Sequence, residues 1–571
     1  MDARLGPHEH HRAWRQLADD HLDVLVVGGG VTGAGAALDA ATRGLNVALV
    51  EARDLASGTS SRSSKLFHGG LRYLEQLDFS LVREALRERE LMLTRLAPHL
   101  VKPVPFLYPL RGWAWERPYV GAGLAIYDNL GGANTLPRQR HLSRRGARSL
   151  CPALRPDALV GAVQYWDAQA DDARHTLTVA RTAARYGAVV RTSTEVVGLE
   201  RDAGRVVGAR LRDVETGELA TAHADVVVAC TGVWTDDLEE LSSSRGRFNV
   251  RASKGVHLVV PRDRIASETG IIRRTPSSVL LVIPWGQHWL IGTTDTDWNL
   301  DRAHPAASRA DIDYLLGQLN PVLVRPLTRQ DIVGVYAGLR PLLSGESEET
   351  SQLSREHAVA RPLPGLVTIA GGKYTTYRVM AEDAIDAAVA DVRRAPGHSV
   401  TADIPLIGAD GYAALVNQAD RLAIEYRLPV WRVQHLLDRY GSMIGEVLAP
   451  AADDESLLEA LPGADGYLKA EIRYGATHEA SLHLDDLLAR RTRISIETPH
   501  RGTESALAAA TLVADTLGWS PARVQAEVEV YRARVAAERA SQEEPDDLAA
   551  DAARLLAPDT RRVGVGRALD D

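Results

Sequence analysis

Gly28-Gly29-Gly30-Val31-Thr32-Gly33 is a G-x-G-x-x-G set between a short β-branched apolar run, Asp23–Val27, and an Ala-rich stretch, Thr32–Arg43. Each glycine answers a separate steric demand: Gly28 permits a tight turn, Gly30 lets backbone approach a pyrophosphate, and Gly33 lets helix and strand close on each other. The first turn of the helix then offers unpaired N–H groups and the positive end of its dipole to phosphate oxygens. Glu51 ends the next apolar run, Asn46–Glu51, where a carboxylate can accept bonds from ribose hydroxyls. Glycines alone are weak evidence. Strand, glycines, helix, strand and acid in that order predict a dinucleotide site.

The motif stands at the start of the fold, and Glu51 is followed by a hydroxyl-rich loop, Leu55–Lys65, containing Thr59, Ser60 and Ser64. Such a loop suits a phosphate and a flavin edge, so FAD is favoured over NAD, although taken alone it can also be read as a solvated Ser-rich loop. Val226–Gly232 is a strand ending in Thr231-Gly232, a further nucleotide-side feature. Three segments join glycines to a cation: His68-Gly69-Gly70-Leu71-Arg72-Tyr73, Gly338-Leu339-Arg340-Pro341, and Gly371-Gly372-Lys373-Tyr374-Thr375-Thr376. Fixed Arg and Lys donors beside small residues can clamp and neutralise a phosphate-bearing ligand. Singly, each such cation is more often a member of a surface ion pair; three in one chain with a flavin site point to a clamp.

These groups need elements to hold them. Asp23–Val27, the Ala-rich helix and Asn46–Glu51 make one parallel crossover. Leu and charged residues at helical spacing predict an amphipathic scaffold helix between about 75 and 100, and 185–215 alternates strand runs with Gly turns. Strands are expected over Asp225–Ala229, 250–300 and 333–343, and a helix over 377–394. Parallel-unit and antiparallel characters alternate, which predicts a nucleotide domain interleaved with a substrate domain. Beyond Ala395–Gly411 the chain is rich in Ala, Leu, Arg and Glu at helical spacing. The expected organisation is an N-terminal leader, 1–20; an oxidoreductase region, 21–400, with cofactor segments near 21–75, 150–240 and 335–395; a helical domain, 401–545; and a tail, 546–571, whose composition allows disorder.

At 571 residues several cores are expected. The net charge of −9 and the dispersed cations offer no basic stripe to nucleic acid. Two cysteines, Cys151 and Cys230, read as structural residues of a reducing compartment. No secretory h-region or spanning helix is visible, so a cytoplasmic protein is expected, with peripheral contact to a membrane face left open.

The runs TSSRSSKLFHGGLRYLE, WDAQADDARHTL, KGVHLVVP, IGTTDTDW, AGLRPL and GGKYTTYR resemble the FAD-dependent glycerol-3-phosphate dehydrogenase family over nearly the whole chain. The resemblance implies an α/β and α+β architecture of the glycine/D-amino-acid oxidase type: a Rossmann-like FAD-binding domain interleaved with an antiparallel-sheet substrate domain, plus a C-terminal all-helical domain. It implies FAD as cofactor, oxidation of sn-glycerol 3-phosphate to dihydroxyacetone phosphate, and a quinone or other membrane electron acceptor, with the protein at the inner face of the plasma membrane and open to forming a homodimer. Related oxidases carry an additional insertion in the substrate region; no extra block stands between about 250 and 400, which favours a quinone over dioxygen.

By matching position, the resemblance gives Arg72, Tyr73 and Lys373 to the substrate phosphate, Thr375 to the substrate or flavin edge, and Arg340 to the reacting carbon. His68 or Arg340 would handle the C2 hydroxyl, the imidazole being suited to take its proton. Val196 would touch the adenine, and Gly338 and Gly372 would line the cofactor with Gly232. Lys254, His257, Asp295 and Asp297 are open to functional and structural roles alike. The alternatives are a glycerol-3-phosphate oxidase using dioxygen, an amine or amino-acid oxidase, against which the cationic set speaks, and a flavin-binding protein without turnover.

Overall fold

The computed structural model describes residues 3–70, 78–112, 115–130, 135–242, 248–275, 279–343, 357–561 and 563. Arg72 and Tyr73 lie outside them.

Side chains of His21–Val27 alternate between two cores: Val24 and Val26 join the Ala-rich helix, Leu25 and Val27 join Trp14 and Leu17. A strand apolar on both faces belongs in the middle of a covered parallel sheet. It pairs in parallel with Val47–Val50 on one side and Leu219–Ala229 on the other. Val189–Arg191 and Leu366–Gly371 extend the sheet outward, each in parallel. Thr194–Asp202 and Arg205–Asp213 form an antiparallel hairpin leading into Leu219–Ala229. Helices Val31–Thr42, Asp172–Arg185 and Tyr377–Val389 share one core. The helix expected over 377–394 therefore stops at Val389.

The second sheet is largely antiparallel. Val250–Pro261 runs between Gly334–Leu343 and His288–Gly292, with Ser253 opposite Arg340 and Gly255 opposite Gly338. Its far face packs Val256, Leu258, Val260 and Trp289 on helix Arg309–Leu319. The sheet carries Arg340 toward the first domain, so cofactor and substrate halves meet along one seam.

The C-terminal region is helical apart from a short hairpin, Ala460–Leu468. Described residues near both ends are more tightly built than composition suggests. The expected leader forms helix Pro7–Asp19, which buries Trp14 and Leu17 against the first sheet. In the stretch read as open to disorder, helix Asp547–Arg554 buries Ala550, and Arg561 pairs with Asp486 at 2.8 Å. A buried arginine that finds a carboxylate overrides the local composition.

Candidate functional site

A cavity of about 700 Å³ runs from the glycine turn to the seam between the sheets. That lies in the upper part of the roughly 300–1,000 Å³ range of cofactor and ligand pockets. Of the positions singled out in the sequence, Gly28, Gly30, Glu51, Thr59, Ser60 and Val196 line it, joined from a distance by Gly232, Gly372 and Lys373.

At its closed end Gly28 has φ +111°, and a Cβ there would sit 2.5 Å from the Cys230 carbonyl oxygen. Only glycine lets the strand end pass so close to the neighbouring strand. Gly33 is not part of the wall; a Cβ on it would meet the Gly28 carbonyl at 1.9 Å, so it serves helix–strand packing. The Glu51 carboxylate accepts the Gly29 N–H at 2.6 Å and the Arg53 N–H at 2.7 Å. Burial pushes its carboxyl pKa up, against those two bonds. An acid held this way beside the glycine turn is placed for ribose hydroxyls, and the cavity, turn and acid together fit a dinucleotide. Cys230, behind the turn, is a free buried thiol pushed up to about 12 by burial, which keeps it protonated.

The hydroxyl-rich loop is used differently from its sequence reading. Thr59 donates to the Leu339 carbonyl at 2.6 Å, Ser63 to Asp172 at 2.7 Å, and Ser64 meets His257 Nε2 at 2.9 Å. Ser60 Oγ accepts the Val31 N–H at the helix start at 2.9 Å, leaving its own O–H available. Thr59, Ser60 and Ser63 line the cavity while their hydroxyls also shape the loop, and Ser64 is outside the lining. Gly338 is also outside it: a Cβ would lie 2.4 Å from the Arg62 carbonyl, so this glycine lets strand and loop pack in contact.

The loop is gripped from behind by the C-terminal domain. Arg493 reaches Asp171 and Asp172 at 2.5 Å each and the Ser61 carbonyl at 3.3 Å. Arg491 makes a two-pronged pair with Asp54 at 2.6 and 2.7 Å, and Arg490 adds a third contact at 2.5 Å. Lys65, buried, bonds Asp172 at 2.6 Å.

At the seam, the Arg340 guanidinium donates to Thr293 Oγ1 at 3.0 Å and the Thr294 carbonyl at 3.2 Å, with Asp295 at 3.4 Å. Its neighbour Pro341 lines the cavity. The His68 backbone is bound to Thr375, which is buried behind the Lys373 turn. The next amide, Gly69 N–H, donates to Tyr127 at 2.7 Å, and Tyr127 to Asp167 at 2.6 Å. Lys254 is a buried structural cation, 2.6 Å from Asp311 and 2.5 Å from Asp547, while Asp297 pairs with Arg251 at 3.1 Å. His257 stacks on Tyr336 at 4.8 Å and 9°. Burial, then the charges of Arg340 and Lys65, hold its imidazole well below the usual range, so it is neutral and resists taking up a proton. Its placement near Arg340 and Lys65 is not visible along the chain.

Residues 23–378 match the FAD dependent oxidoreductase family, and residues 399–524 match the C-terminal domain of alpha-glycerophosphate oxidase. The chain is 63% identical to glycerol-3-phosphate dehydrogenase 2 of Mycobacterium bovis, over 98% of this chain and 96% of that protein. It is 37% identical to the human mitochondrial glycerol-3-phosphate dehydrogenase, over 90% of this chain and 72% of that one. Among solved structures, the glycerol-3-phosphate dehydrogenase from Bacillus halodurans complexed with FAD superimposes with a TM-score of 0.77 at 29% identity, covering 94% of this chain and 97% of that one.

Proposed function

The chain belongs to the FAD-dependent glycerol-3-phosphate dehydrogenase family, and we propose that it oxidises sn-glycerol 3-phosphate to dihydroxyacetone phosphate and delivers the electrons to a quinone-type acceptor. The observation that carries this reading is that Lys373 and Pro341, the neighbour of Arg340, line the same cavity as Gly28 and Glu51. FAD, when bound there, supplies a two-electron acceptor for the hydrogen on C2.

The chain's residues bind, orient and move the proton. Lys373, with Arg72 and Tyr73, would hold the phosphate, fixing C2 in a reactive position. Arg340, its guanidinium anchored by Thr293 and Thr294, would polarise the C2 oxygen. As the C2–H bond breaks with its electron pair leaving carbon, the hydroxyl proton passes to a base and a C=O bond forms. His68 is one candidate base. His257 is a second, near Arg340, although burial and that charge weaken its imidazole as a proton acceptor. The pH profile of kcat in His68→Asn and His257→Asn separates them, since only loss of the base removes the limb set by its ionisation.

Among the described residues no helix is long and apolar enough to cross a membrane. Trp115 and Tyr119 stand 69% and 51% exposed at the start of helix Glu116–Leu130, as side chains at a membrane interface would. We propose that a peripheral membrane contact would lie there. The acceptor is tested by reducing the FAD-loaded protein anaerobically and splitting it between air and a quinone analogue. Reoxidation mainly by the quinone supports the dehydrogenase reading, whereas fast reoxidation by air makes the protein an oxidase.

A further inference from the structure

Behind the hydroxyl-rich loop lies a second cavity of about 140 Å³, enclosed by that loop, the 303–307 segment, the C-terminal domain and the tail. It shares Arg53, Ser57 and Ala303 with the cofactor cavity as a common wall. Seven arginines and four carboxylates line it, so its charge depends on which of them are already paired.

Five arginines are matched. Arg53 meets Asp559 at 2.7 Å, Arg490 meets Asp54 at 2.5 Å, Arg493 meets Asp171 at 2.5 Å, and Arg561 meets Asp486 at 2.8 Å. Arg534 takes Asp485 at 3.0 Å and Glu538 at 2.7 Å. The remaining acid, Glu527, is held by His483 at 2.9 Å and Arg523 at 2.7 Å. Two cations are left over. Arg554, its side chain 7% exposed, gives Nη2 to His304 Nδ1 at 3.3 Å, and among the described residues its one ion-pair partner is the Glu538 oxygen at 3.7 Å, already committed to Arg534. Arg62 makes no ion pair among the described residues, its guanidinium giving one bond to the Ala303 carbonyl at 3.2 Å. A buried nitrogen of Arg534, Nη2, also has no hydrogen-bond partner.

We propose that this chamber binds a small phosphate-class oxyanion between Arg62 and Arg554. Planar guanidinium forks match tetrahedral oxyanions, and a buried cation without a counter-charge is costly unless a bound anion supplies one. The space suits one such ion and a few waters, each taking about 30 Å³. Burial, then the fields of Arg490 and Arg554, lower the Arg62 pKa to about 10, as surplus positive charge would. Because the chamber shares a wall with the cofactor cavity, the ion would tie the C-terminal domain to the loop that shapes the cofactor site.

The test is a melting experiment on the FAD-loaded protein, titrated with inorganic phosphate against chloride at equal ionic strength. It needs no turnover, so it stands apart from the activity assignment. Phosphate should raise Tm saturably, on the order of 2 °C, above any chloride effect. R62Q and R554Q should each remove most of that rise, leaving only the part due to phosphate at the substrate site, where it still competes with glycerol 3-phosphate in the assay as in the parent. If R62Q does not fold, R554Q carries the comparison. A rise matched by chloride, no rise at all, or an unchanged rise in the variants overturns the proposal.

Discussion

Thr375 Oγ1 accepts the His68 N–H at 3.2 Å and donates back to the His68 carbonyl at 3.3 Å. One hydroxyl thus ties the Lys373 turn to the His68 turn. Thr375→Val should keep FAD content while lowering kcat about 10-fold, from the loss of one buried hydrogen-bonding group that holds geometry. Thr375→Ser should restore most of the rate. Equal kcat in all three proteins, measured at saturating substrate, would remove Thr375 from this role.

The Glu51 carboxylate bonds both the Gly29 and Arg53 amides. Hydrogen bonds to a charged group contribute about 1.5–3 kcal/mol, so Glu51→Ala should weaken FAD binding about 10–100-fold. Fluorescence titration of the FAD-free protein reads this directly, and an unchanged Kd would mean the acid does not serve the ribose.

The C-terminal domain grips the loop through Asp54, buried against Arg490 and Arg491. Removing one side of a buried charge pair leaves the other uncompensated and costs about 3–5 kcal/mol. Asp54→Asn should therefore lower the first thermal transition and release FAD at a lower temperature. Calorimetry followed with flavin absorbance checks both, and coincidence with the parent would show that the domain does not brace the loop.

His483 is held between Glu215 at 3.0 Å and Glu527 at 2.9 Å, with Arg561 and Arg523 also facing it. Burial and Arg561 lower its pKa, but the bonds to Glu215 and Glu527 prevail and raise it to about 9 from 6.5. Its stabilising contribution is complete below pH 6.5 and is lost as pH rises through about 9. Glu215, lowered to about 2 despite burial by its bond and charge contact with His483, contributes fully above pH 4.5 and fades below that. His483→Gln should flatten the alkaline decline of Tm; an unaltered slope would place the effect elsewhere.

Local pattern carried the cofactor half of the molecule into view. The order of strand, glycines, helix and Glu51 is written in consecutive residues, and Gly28 and Glu51 stand where that order placed them. The sequence could not say what the hydroxyls of the 55–65 loop would bond, because their partners come from elsewhere: Thr59 finds Leu339, Ser64 finds His257. Gly338, read as cofactor-facing, instead accommodates the Arg62 carbonyl. Arg493 meets Asp171 across more than three hundred residues. Such pairs arise from how the domains dock, which periodicity does not encode.

The central claim is tested most directly by mixing the FAD-loaded protein anaerobically with sn-glycerol 3-phosphate and following flavin absorbance. The account predicts rapid bleaching with dihydroxyacetone phosphate formed in equal amount to the flavin reduced, and no bleaching by glycerol at the same concentration. Flavin that stays yellow with sn-glycerol 3-phosphate would contradict it.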